Sequence, residues 1–129
     1  MDGVWWNGAL YPSNKIEINL NGTYSITSFV VQADDNDTYR VSHLDASSNW
    51  QTAYDVPYKF SYGLVTRDEY FLPTSIVTSA LKFEATGGDG YYSVSQIVAN
   101  GSAVPLPASL LLLGPGLVGL AAVKRRFKK

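Results

Sequence analysis

Up to residue 103 the apolar side chains recur at every second position in short runs, and no stretch keeps a helical period long enough for a helix. Lys15–Leu20 (KIEINL) shows the rule: Ile16, Ile18 and Leu20 take one face, Lys15, Glu17 and Asn19 the other. A two-residue period places alternate side chains on opposite faces of a half-buried strand. The same reading predicts strands over Tyr24–Gln32, Thr38–Leu44, Trp50–Tyr54, Ala80–Thr86 and Tyr91–Asn100. Between them stand turn formers at Asn21-Gly22, Ala33–Asp37, Asp45–Asn49 and Gly87–Gly90. Met1–Asn14 reads as an edge segment or loop, Val56–Leu72 as short strands or irregular loops around Pro57 and Gly63, and Gly101–Ala103 as a short linker. Strands at spacings near ten residues predict an all-β, antiparallel β-sandwich.

The end of the chain breaks this pattern. Ala108–Val123 carries no charge, and Ser109 is its one polar side chain. As a helix it would span roughly 24 Å, or roughly 30 Å from Val104, which reaches across a hydrocarbon core. It is apolar on every face and ends in Lys124, Arg125, Arg126, Lys128 and Lys129. A run apolar on every face that ends abruptly in five cations fits a core helix poorly, so one C-terminal transmembrane α-helix with a cytoplasmic cationic stop is expected. Pro115 predicts a kink in it. The expected organisation is a sandwich over 1–101, a linker with a Pro-x-Pro motif over 102–107, a membrane helix over 108–123 and a basic tail over 124–129.

The order Val104-Pro105-Leu106-Pro107, Leu-rich segment with glycines, basic cluster, resembles a PEP-CTERM sorting signal. The acidic residue of that motif is replaced by Leu106. The resemblance implies an exported bacterial protein processed by an exosortase, a membrane-embedded enzyme of lineages that make exopolysaccharide. It further implies a precursor in the inner membrane, head outside, and a mature product at the cell surface or in the extracellular matrix. Translocation calls for an N-terminal signal peptide, which MDGVWWNGALYPSN does not provide. The start is therefore expected to be clipped.

Residues 1–103 hold five cations against eleven acids, a net of −6, and the basic tail masks this in the overall −1. An acidic head disfavours nucleic acid and an anionic membrane surface as its partners. There is no cysteine, hence neither disulfides nor thiol chemistry.

The strand motifs themselves carry a second resemblance. Asn19-Leu20-Asn21, then Ile26, Phe29, Val31 and Gln32, then Tyr39, Val41 and Trp50, and finally Phe83–Thr86 and Ser93–Ile97, follow the order of a discoidin, or coagulation-factor type C, domain. Asp2-Gly3 with Trp5 or Trp6 resembles that family's Asp-Gly…Trp segment. The resemblance spans about 85 residues, from Lys15 to Gly101, and implies a galactose-binding-like jelly roll.

Asp34, Asp35 and Asp37 are candidate oxygen ligands for a structural Ca²⁺, set against a solvated turn whose adjacent residues cannot all face one ion. No other cofactor is expected. His43 alternates with Tyr39 and Val41 as a strand-packing histidine, and no nucleophile, metal or phosphate motif accompanies it. Asp68 and Glu69 are adjacent, where glycosidic carboxylates face each other across a cleft. The chain is therefore not expected to be an enzyme.

Trp5, Trp6, Trp50, Tyr54, Tyr58, Tyr62, Tyr70, Tyr91 and Tyr92 are many aromatics for this length. Most are expected in the core, and Trp5 or Trp6 and Tyr91, in turn-rich contexts, are the candidates to stack on a sugar. The expected function is an envelope protein with a sorting and membrane-anchoring signal, whose head acts in matrix or biofilm and binds carbohydrate. The competing readings are a purely structural single-pass protein, a gene remnant and, ranked last, a hydrolase that would depend on His43 or an acid pair.

Overall fold

The structure, a computed structural model, describes residues 3–8 and 14–105. The expected membrane helix 108–123, the tail with Lys124, Arg125, Arg126, Lys128 and Lys129, and Leu106 and Pro107 of the sorting motif lie outside these residues. Among the described residues no helix is long and apolar enough to cross a membrane.

The described residues form seven antiparallel strands: β1 (Val4–Asn7), β2 (Lys15–Asp34), β3 (Thr38–Leu44), β4 (Trp50–Val56), β5 (Leu64–Thr66), β6 (Tyr70–Gly87) and β7 (Tyr91–Ala103). Their order is β1-β7-β2-β6-β3-β4, with β5 also paired to β2. The all-β expectation holds, and β3 and the turn Asp45–Asn49 fall where the alternation put them.

Three expectations are corrected. Asn21-Gly22 does not reverse the chain in a hairpin. The two strands expected on either side are one 20-residue strand, β2, irregular in register between Asn19 and Tyr24. Asn21 there adopts a left-handed φ of 54°, which an amide side chain tolerates, and it accepts a bend instead of a turn. Similarly, β6 begins at Tyr70, ten residues before the expected strand, and runs through Pro73. Lastly, the expected linker after Asn100 is the end of β7: Gly101, Ser102 and Ala103 pair with Ile26, Ser25 and Tyr24.

The bend lets β2 and β6 serve both layers. Lys15–Asn19 pairs with Ala80–Glu84 beside β3 and β4, whereas Tyr24–Phe29 pairs with Tyr70–Thr78 beside β7. The paired strands thus cross together from one layer to the other at a rim. There Thr78 Oγ1 donates to Leu44 O at 2.8 Å and accepts the Leu44 N–H at 3.2 Å. Between the layers lie Ile26, Phe29, Val31, Tyr39, Val41, Leu81 and Phe83, all buried. Phe29 stacks on Tyr54 of β4 at 6.4 Å and Trp6 meets Tyr39 edge-on at 6.3 Å, contacts between strands that are not sheet neighbours. Each such ring removed from water contributes roughly 2–3 kcal/mol.

Candidate functional site

At the end opposite the rim, three connections are fastened to one another. Asp35 N–H donates to Gly63 O at 2.9 Å and Lys59 N–H to Asp35 O at 3.0 Å, so loop 57–63 hangs on the turn after β2. Asn36 Nδ2 donates to Asp89 Oδ2 at 2.9 Å, joining that turn to the one before β7. Gly8 N–H donates to Gly90 O at 2.6 Å and brings in the end of β1.

Two buried polar groups hold this end. Asp37 is fully buried; its Oδ1 accepts the Asp89 N–H at 3.1 Å, and Tyr39 Oη lies 3.2 Å from its Oδ2. Tyr39 Oη is also 3.1 Å from Ser93 O and accepts the Ser93 N–H at 3.1 Å. Burial pushes the Asp37 carboxyl up to about 6, and the Tyr39 phenol well above its ordinary value. A Cβ at Gly88, where φ is +139°, would overlap the Asp37 carboxylate, so glycine is required there. The second group, Arg67, donates to main-chain carbonyls of residues 33–37, Pro57 and Val65.

Beside Arg67 opens a cleft of about 540 Å³ between the end of β4 and the start of β6. Its floor is Tyr54 stacked on Tyr70, with centroids 4.4 Å apart and planes 5° from parallel. Tyr54 is buried, while Tyr70 and Tyr58 are exposed. Asp55, Lys59, Asp68 and Glu69 supply polar groups around these rings. Lys59 Nζ lies 3.5 Å from Asp68 Oδ1, and Ser28 Oγ donates to Glu69 Oε2 at 2.9 Å. Two adjacent carboxylates therefore have separate partners, as expected of neighbours that point apart. Phe60 and Tyr62, the latter 96 % exposed, continue the aromatic surface along loop 57–63.

The residues expected to bind sugar are separated by the pairing of β1 with β7. Trp6 lies opposite Tyr92 and is 7 % exposed, packed in the core at 5.7 Å from that ring. Trp5 lies opposite Ser93 on the outer face and is 72 % exposed. Tyr91, exposed two positions along the partner strand, shares that face with it.

The three aspartates do not form a ligand set. Asp37 points into the interior, Asp34 Oδ1 accepts the Asp35 N–H, and Asp35 Oδ2 accepts the Ser61 N–H at 3.0 Å. No group of three metal-ligating side chains converges among the described residues. The carboxylates of Asp34, Asp35 and Asp37, the residues of the Ca²⁺ expectation, each hold a different piece of loop. His43 lies on β3, and its Nδ1 is buried without a hydrogen-bond partner. Val104 and Pro105 follow directly on β7, with Val104 N–H donating to Thr23 O at 2.9 Å.

The sequence reading counted Tyr54, Tyr58 and Tyr70 among the aromatics but assigned no site to them. The available signal was PYKFSYG, whose three rings in a Pro- and Gly-bounded loop cannot all reach a core.

No protein-family model and no curated protein sequence matches the chain. Solved structures do resemble it. The family 32 carbohydrate-binding module of Streptococcus pneumoniae EndoD superposes with a TM-score of 0.56 at 11% identity, over 68% of this chain and 69% of that one. The family 32 module of Clostridium perfringens NanJ, in complex with galactose, gives 0.54 at 11% identity, over 74% of each chain. Chitosan-binding module 2 of a Paenibacillus sp. IK-5 chitosanase/glucanase, in complex with chitotriose, gives 0.52 at 22% identity, over 67% and 69%. At these identities the likeness is one of fold. The chain shares the all-β, antiparallel sandwich fold of these modules.

Proposed function

We propose that this protein binds carbohydrate without turning it over, and that its C-terminal segment anchors it in a bacterial envelope. The observation that carries the first half is the cleft, in which tyrosine rings line one wall and charged side chains the rim. A pyranose offers an apolar face to stack on Tyr70 or Tyr58 and hydroxyls for Asp55, Lys59, Asp68 and Glu69. The volume lies within the range of about 300–1,000 Å³ usual for small-ligand sites. Fold neighbours named for sugar binding, two of them with galactose or chitotriose bound, support the reading.

Titration of the full chain with galactose and with chito-oligosaccharides, in detergent, tests it. Saturable binding that Tyr70→Ala and Tyr58→Ala weaken is the expected result; binding indifferent to both changes would move the site elsewhere, and no binding to any glycan panel would leave a structural protein.

The second half rests on the order Val104-Pro105-Leu106-Pro107, apolar run, cationic end. The precursor would sit in the inner membrane with the sandwich outside, and an exosortase would act near Pro105–Pro107. Expression behind a supplied signal peptide in an exosortase-bearing host, followed by mass spectrometry of membrane and released fractions, decides it. A released head ending near 104–107 is expected. An intact chain confined to the membrane fraction would remove the exosortase and keep the anchor.

A further inference from the structure

We infer that the head stands on the bilayer by the rim where β2 and β6 cross, holding the aromatic cleft away from the lipid. This rests on the anchoring reading, and three observations add the orientation.

The first is the shortness of the tether. Ala103 pairs with Tyr24 and Val104 is bonded to Thr23, so sheet structure extends to the sorting motif. At Gly101 a Cβ would collide with the Ser25 carbonyl, which shows how tightly the last part of β7 lies on β2. Four residues, Val104–Pro107, remain before the apolar run at Ala108. Fully extended they reach about 14 Å. A sandwich held so closely must turn the end of β7 toward the membrane.

The second is charge. Residues 20–33, 70–81 and 90–105 contain no Asp, Glu, Lys or Arg, although the head as a whole is acidic. These stretches pair with one another along this layer, and their portions nearest the rim are Tyr24–Ile26, Ile76–Thr78 and Gly101–Ala103. What they expose there is uncharged: the hydroxyl and amide groups of Asn21, Thr23, Thr27, Thr74, Ser75 and Ser102, and the apolar side chains of Phe71 and Val77. The turn Asp45–Asn49 reaches the same end, and its carboxylate is bonded to the Ser47 and Asn49 N–H groups and Gln51 Nε2. An anionic leaflet repels carboxylates within a Debye length of about 8–10 Å, so this rim, where Asp45 is ionised but the strands are uncharged, meets it at less cost than the end that carries Asp34, Asp35, Asp37 and Asp89.

The third is distance. From Thr23 to Asp34, where the turn holding loop 57–63 begins, β2 runs for eleven residues, roughly 35 Å of strand. The acidic turns therefore lie far outside the leaflet's field, and the nearest cleft residues, Tyr70 opposite Phe29 and Glu69 bonded to Ser28, stand five to six residues from Thr23, roughly 17–20 Å of strand and still beyond a Debye length.

The chain has no cysteine, which makes single labels simple to place. Thr23→Cys, Ser75→Cys and Tyr62→Cys, each exposed, would carry one fluorophore apiece on the full chain reconstituted into vesicles of zwitterionic and anionic lipid with a headgroup-borne quencher. Labels at 23 and 75 should be quenched several-fold more strongly than the label at 62. Equal quenching at the three positions, or stronger quenching at 62, in chains that float with the vesicles overturns the orientation and leaves the anchor standing. Chains that do not float with the vesicles refute the anchor itself, and the orientation with it.

Discussion

Arg67 donates from Nη2 to the main-chain carbonyl of Asp37 at 3.1 Å, and its guanidinium is bound entirely by such carbonyls. Nε reaches Pro57 O (2.9 Å), Nη1 reaches Ala33 O (2.6 Å) and Val65 O (2.9 Å), and Nη2 also reaches Asp34 O (2.6 Å). Five N–H donors meet five acceptors, which uses the full capacity of the group. The side chain is 2 % exposed, and burial lowers its pKa. A cation so placed gathers the turn after β2, the end of β4 and β5 into one unit, against which the cleft is built.

Replacing Arg67 leaves those carbonyls buried and unpaired. Arg67→Met should destabilise the fold by about 3 kcal/mol or more, and Arg67→Lys by nearly as much, because one ammonium cannot address five acceptors arranged around a planar fork. Urea unfolding followed by tryptophan fluorescence checks this; a loss under 1 kcal/mol in both variants would contradict the bonding scheme.

Asp37 predicts a pH dependence whose sign follows from its burial. Its carboxyl titrates near 6 in the fold against an ordinary value of 3.8, so the folded state holds the proton more tightly. Its contribution is therefore fully present below pH 4 and is lost as pH rises through 6, by at most about 3 kcal/mol. Asp34, raised by burial, acts in the same direction; Asp89 and Asp45, lowered by hydrogen bonds from backbone N–H groups, act oppositely. Asp37→Asn isolates the one group. The variant should match the parent near pH 4 and exceed it at pH 7.5, measured as the difference in unfolding free energy. A difference independent of pH would exclude a buried, titrating Asp37.

The two adjacent tryptophans should respond very differently to alanine. Trp6→Ala removes a ring packed against Tyr39 and Tyr92 and should cost about 3–5 kcal/mol. Trp5→Ala, on the outer face, should stay within about 0.5 kcal/mol. Thermal unfolding of the pair is sufficient, and equal losses would mean that β1 pairs with β7 one residue out of register.

Within the cleft, Tyr70 and Tyr54 separate binding from folding. Tyr70→Ala should weaken glycan binding by about tenfold, or about 1.4 kcal/mol, with a modest stability loss, since its outer face is open. Tyr54→Ala, buried against Phe29, should destabilise by about 3 kcal/mol and unfold the floor on which Tyr70 rests. Calorimetry with the same sugar, run beside unfolding curves, distinguishes the two, and an unchanged affinity in Tyr70→Ala would remove that ring from the site.

The alternation of Lys15–Leu20 and Thr38–Leu44 and the polar turn Asp45–Asn49 were legible because a strand with one wet face writes its geometry into neighbouring residues. By itself the sequence determined an all-β head, an acidic surface, an uncharged block of strands and an apolar segment with a cationic end. Tertiary structure alone decided which of Trp5 and Trp6 faces inward, because pairing with Ser93 and Tyr92 sets the face. It alone turned Asn21-Gly22 from a hairpin signal into a bend, because β6 follows β2 around the corner and the ladder, interrupted after Asn19, resumes with Tyr24 opposite Thr78. The cleft and Arg67 belong to the same class. Their partners come from 33–37, 54–59 and 65–70, segments adjacent in space through sheet pairing and not through any local period. No spacing within one segment could therefore announce a buried arginine or a stacked pair of tyrosines.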